Sequence, residues 1–117
     1  MGTQPSSTGA AALPSLSEDY LRALPKAEVH CHLEGCVPPE MAVRLAERHG
    51  VPLPATAVSG GRYRFSCFDE GLAIYVAVSG SMRTASDFEE VTYASLMAAA
   101  EGGVRAIAMA WGVGSTP

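Results

Sequence analysis

Residues 26–35 read Lys-Ala-Glu-Val-His-Cys-His-Leu-Glu-Gly, and the fold of the chain follows from how they are counted. With a period of two, Ala27, Val29, Cys31 and Leu33 fall on one face of a strand and Glu28, His30, His32 and Glu34 on the other. One face is apolar and the other ionisable. Residues two apart on a strand lie about 6–7 Å apart at Cα with side chains pointing the same way, so two imidazoles so placed can converge on one ion. Zinc accepts neutral imidazole nitrogen, and a catalytic zinc keeps one position for water. His30 and His32 are thus candidate zinc ligands, and by themselves they form an incomplete site. A solvated strand that carries His-x-His by chance has the same spacing.

The stretch belongs to a chain of 117 residues, of which 48% are hydrophobic and 17% charged, the composition of a globular domain. A formal net charge of -4 leaves no basic footprint for nucleic acid. The three cysteines, Cys31, Cys36 and Cys67, are odd in number and lack a repeated spacing. They argue against a disulfide framework and for a reducing compartment, with the cytoplasm as the expected location. There is no signal-peptide pattern and no run of about 18 apolar residues, so no membrane partner is expected.

Outward from the strand, residues 1–17 read as a flexible tail rich in Gly, Ser, Thr, Ala and Pro, and residues 18–117 as the structured unit. Ser17 is placed to cap a short turn containing Tyr20, Leu21 and Leu24, which Pro25 ends. After Gly35, Pro38 and Pro39 open a helix over 39–49 with the apolar stripe Met41, Ala42, Leu45 and Ala46. Glu40, Arg44, Glu47 and Arg48 face solvent in this reading, Gly50 stops the helix, and His49 sits where the helix dipole favours it.

Residues 55–65 read as an irregular loop. Ser66 precedes a helix with Phe68, Leu72, Tyr75, Val76 and Ser79 on one side, closed by Gly80. Ser86 with Glu89 forms a capping-box pair for a further helix. Phe88, Val91, Ser95 and Ala98 make its narrow apolar face, Leu96, Ala99 and Ala100 widen it, and Gly102-Gly103 ends it. The apolar run Val104–Ala110 suits a strand buried on both faces. Two strands joined only through helices make a parallel crossover of α/β type, in which ligands gather beyond the carboxyl ends of the strands.

At this point the residues resemble a family. "LPKAEVHCHLEGCVPPEMAVRLAERHGVPLP", residues 24–54, is similar to the opening of the adenosine and adenine deaminases, metal-dependent amidohydrolases. "SGSMRTASDFEEVTYASLMAAAEGGVRAIAM" is similar to that family's next helix and second strand. The resemblance implies an α/β fold, the N-terminal part of a (β/α)8 TIM barrel comprising its first two strands and intervening helices. It implies His30 and His32 as metal ligands, Zn2+ as cofactor, and His32 and Glu34 as residues against a small aminopurine substrate. The reaction implied is zinc-dependent hydrolytic deamination, in which water replaces the amino group and ammonia leaves. Cys31 and Cys36 are packing residues in this reading, and Glu28 supports the metal from beneath.

A full barrel takes about 250 residues, and no histidine follows His49 to complete the metal site. The expectation is an N-terminal fragment that folds poorly alone and binds metal weakly, with no catalytic residue assignable in it. In the second strand Ala108 stands where the family often has an acid, and residues 112–117 depart from its pattern.

Other readings stay open. One is a truncated inactive relative. Another is a small structural zinc module using His30, Cys31, His32 and Cys36, which needs a distorted strand. A cytidine-deaminase type, suggested by His32-Leu33-Glu34, lacks the Pro-Cys-x-x-Cys that would supply its thiolates.

Overall fold

A computed structural model describes residues 16–112. The tail expected over residues 1–17 therefore lies almost wholly outside the described residues, as does the divergent segment after Gly112. Ser17 caps helix α1 (Glu18–Ala23), its hydroxyl accepting the Tyr20 amide at 3.1 Å. Pro25 separates α1 from strand β1 (Lys26–His32), and a 3-10 turn (Leu33–Cys36) follows directly. Helix α2 spans Pro39–His49 as its sequence dictates, with Pro39 at its start and Gly50 in the left-handed conformation (φ 63°) at its end.

Two short strands, β2 (Val58–Ser59) and β3 (Arg62–Tyr63), pair antiparallel where an irregular loop was expected. Gly60 and Gly61 both adopt positive φ, 60° and 68°, which is what a two-residue hairpin of the twisted kind requires. Helix α3 (Phe68–Ser79) closes at Gly80, α4 (Ala85–Glu101) ends at Gly102, and strand β4 (Val104–Ala110) completes the described chain.

β1 and β4 pair in parallel, so the expected crossover is present. The pairing slips by one residue between Glu28 and Cys31, where three positions of β1 face two of β4. Such a bulge breaks the period-two count. The core lies to one side of the two strands, where Leu33 and Val37 meet Ala42 and Leu45 of α2, Ile74 and Val78 of α3, and Val91 of α4.

Four expectations are corrected. β4 is not buried on both faces: only Val104, Ile107 and Met109 are half-buried, because a parallel strand needs a neighbour on each edge and helices on each side. The buried face of α3 is Ile74 and Val78, while Phe68 and Val76 are 78% and 61% exposed. α4 buries Val91 and Ser95 as expected, but Leu96 and Ala98 are exposed. Its cap is Thr84 with Asp87 at the third position, not Ser86 with Glu89: the Thr84 hydroxyl accepts the Asp87 amide at 3.2 Å and Asp87 accepts the Thr84 amide at 2.8 Å.

Candidate active site

The 3-10 turn places the chemistry. Because β1 stops at His32, Leu33 and Glu34 leave the strand alternation and both are buried, so Glu34 does not share a strand face with the histidines. The histidines do meet. His30 Nε2 and His32 Nε2 lie 3.1 Å apart, with ring centroids 5.0 Å apart and planes tilted by 58°. Two imidazole nitrogens this close share either one proton or one electron-pair acceptor. Both rings are exposed on the sheet.

Glu34 sits at the carboxyl end of both strands. Its Oε1 accepts the Gly112 amide at 2.6 Å, just beyond β4, while its Oε2 is buried with no hydrogen-bond partner among the described residues. A buried carboxylate oxygen in this state is costly unless something donates to it. Beside it opens a cavity of about 130 Å³, lined by Gly35, Tyr63, Phe65, Ile74, Tyr75 and Val78. Tyr63 is fixed in this wall by donating its hydroxyl to the Val37 carbonyl at 2.8 Å, and burial pushes its phenol up to about 12. The aromatic lining comes from the unexpected hairpin and from α3, two elements far from the motif in sequence.

The thiols of Cys31 and Cys36 contact each other at 2.9 Å, and Cys36 also donates to the His32 carbonyl at 3.3 Å. Burial first, then the hydrogen bond to Cys31 and the negative charges of Glu28 and Glu34, push the Cys36 thiol up to about 12. The bulge after Glu28 interrupts the alternation that sets it on one face with the histidines. Among the described residues no three His, Cys, Asp or Glu side chains gather as a metal-holding group, so the closed His-Cys module is not formed. Nor is any described helix long and apolar enough to cross a membrane.

A second polar cluster lies away from this site and was not foreseen. Asp87 is fully buried and accepts from Arg48 at 2.7 Å, from His49 at 2.8 Å and from the amides of Arg83 and Thr84 at 3.0 and 2.8 Å. Burial alone would raise its pKa, but the two amides and the Arg48 guanidinium outweigh it and hold the carboxyl well below its ordinary range. Arg48 is exposed, as expected, and from there bridges Asp87 and Glu90. The sequence signal was present as Thr84-x-x-Asp87, in competition with the Ser86-x-x-Glu89 pair two residues later.

The family described as adenosine deaminase matches residues 25–111. The chain belongs to this family. It is 40% identical over 102 residues to the adenine deaminase of Caulobacter vibrioides strain NA1000, an alignment covering 85% of this chain and 30% of that protein. It is 43% identical over 89 residues to the adenine deaminase of Bordetella avium, covering 74% of this chain and 28% of that protein. Among solved structures, the adenine deaminase of Arthrobacter aurescens superposes with a TM-score of 0.54 at 36% identity, over 71% of this chain and 27% of that one. The chain thus spans about 30% of the length of the curated relatives it matches, and its architecture is α/β with a parallel strand pair.

Proposed function

We propose that the chain forms the first two barrel strands of a metal-dependent hydrolase that deaminates an aminopurine, with adenine as the favoured substrate. The observation that carries this reading is the convergence of His30 and His32. Two nitrogens bound to one tetrahedral zinc at about 2.05 Å lie about 3.3 Å apart, and the two Nε2 atoms lie 3.1 Å apart without any rearrangement. His30 and His32 fit as two ligands of such an ion, whose remaining ligands lie outside the described residues.

A metal bound there supplies activation of water for attack on the carbon bearing the amino group. The chain's own residues do the positioning. β1 fixes the two imidazoles, and the 3-10 turn drops Glu34 one step further along, at the mouth of the aromatic cavity. The Oε2 of Glu34, unpartnered among the described residues, is an acceptor for a ring or exocyclic N–H of a purine, while Tyr63, Phe65 and Tyr75 offer faces for its ring. Adenine is preferred over adenosine in this reading because one carboxylate oxygen within an apolar slot suits a bare base, and because the similar proteins are described as adenine deaminases.

The test is a graft. Residues 25–111 replace the matching segment of the Caulobacter vibrioides adenine deaminase, and ammonia release is measured from adenine and from adenosine. Activity on adenine that disappears when either histidine becomes alanine is expected. A folded graft that keeps its activity with both histidines replaced would end the proposal.

A further inference from the structure

The described residues hold one nucleophilic pair that the deaminase reading leaves unused. Cys31 pairs with Met109 one residue before the end of β1, and Cys36 ends the 3-10 turn. The turn folds the chain back on itself, so the two sulfurs meet at 2.9 Å although four residues separate them. Both are half-buried free thiols, whereas Cys67 is exposed and lies outside this contact.

We propose that Cys31 and Cys36 form a reversible intramolecular disulfide under peroxide, which locks the turn carrying His32 and Glu34. A disulfide places its sulfurs about 2.05 Å apart, so closing the bond takes a movement of about 1 Å. The Cys31 sulfur attacks one peroxide oxygen, giving a sulfenic acid and one water. The Cys36 sulfur then displaces the hydroxyl from that sulfenic acid, and its thiol proton leaves with the hydroxyl as a second water. Two electrons pass from the sulfur pair to the peroxide, and a reducing dithiol reverses the change.

The bond is a local lock and not a staple. Closing so short a loop removes less entropy from the unfolded chain than closing a long one, so the effect on global stability is at the lower end for a disulfide. Cys36 is held by its carbonyl, which accepts from the Ser95 hydroxyl at 3.2 Å, and Cys31 is held by its place beside β4. With both ends fixed, the strain falls on the residues between them. Oxidation also removes the thiol donor that now reaches the His32 carbonyl. That consequence for His32 rests on the metal reading, while the chemistry of the pair does not.

The experiment treats the reduced intact protein with hydrogen peroxide, alkylates it under denaturing conditions and weighs its proteolytic peptides. Expected is the loss of two of three alkylation sites, a peptide containing both Cys31 and Cys36 lighter by two hydrogens, and full recovery with dithiothreitol. Cys67→Ser, an exposed change, leaves the result unaltered, and Cys36→Ser abolishes it. The proposal is overturned if Cys31 and Cys36 remain alkylatable after Cys67 has been oxidised, if they reach sulfinic acids unlinked, or if either pairs with Cys67. Since no readout involves metal or turnover, this result stands apart from that of the graft.

Discussion

His49 Nε2 donates to Asp87 Oδ2 across 2.8 Å and fastens the last turn of α2 to the first turn of α4. Arg48, one residue earlier, holds the other carboxylate oxygen. Replacing Asp87 with alanine is expected to cost about 3 kcal/mol, the lower end of the range for breaking a buried ion pair. The lower end applies because Arg48 is 42% exposed and keeps Glu90 as a partner at 3.0 Å. Denaturant unfolding of the intact protein measures it, and a loss under about 1 kcal/mol would mean the cluster is replaceable by water.

The same carboxylate sets an acid limit. Its pKa in the fold lies below its ordinary 3.8, so its contribution is fully present above pH of about 4 and is lost as pH falls through the depressed value. Stability of the parent should therefore decline with acid more steeply than that of Asp87→Asn, which has no proton to take up. Parallel unfolding curves for the two proteins across the acid range would contradict this.

Either His30→Ala or His32→Ala should remove bound metal from the graft, because each leaves the site one nitrogen short. Metal analysis after dialysis reads this directly. Thermal unfolding of the metal-free proteins should change by under about 0.5 kcal/mol, since both rings are exposed.

Glu34→Gln keeps the side-chain shape but replaces one acceptor oxygen with a donor. If Oε2 receives a purine N–H, KM for the base should rise by about tenfold or more, the worth of a hydrogen bond to a charged group. An unchanged KM in the graft would remove Glu34 from the substrate face.

Gly103 has φ 84°, and a Cβ there would meet the carbonyl oxygens of Arg22 and Leu24. Its own carbonyl accepts the Lys26 amide at 3.0 Å, so the position where α4 turns into β4 is also where β1 begins. Gly103→Ala should destabilise by about 2 kcal/mol or more, from the backbone conformation and the clash together. A silent substitution would show that the α1–β1 connection yields easily.

The parts of this molecule that were legible in the sequence are those decided within about ten neighbouring residues. The Pro39 start, the Gly50 stop and the stripe between them define α2 without reference to anything else, and the His-x-His spacing likewise brings its own two rings together. What failed depended on partners distant in sequence. Which side of α3 is buried is chosen by α2 and the 3-10 turn, so Ile74 and Val78 face inward although Phe68 and Val76 are as apolar. Thr84 wins over Ser86 as the cap of α4 because Asp87 also collects Arg48 and His49 from 38 or 39 residues away. Glu34 reads as a strand residue, although β1 ends at His32, because alternation carries no information about where a strand stops.

The pairing of Lys26 with Val104 joins positions 78 residues apart. A ribosome adding about 5–20 residues per second needs about 4–16 s to make that intervening chain. For that interval β1 exists without the strand it pairs with, its backbone donors and acceptors open to any other extended segment. The helices between are made in the meantime, and they are what must gather the two strands. The residues of the α2–α4 clasp, Arg48, His49, Asp87 and Glu90, all precede β4 in the order of synthesis.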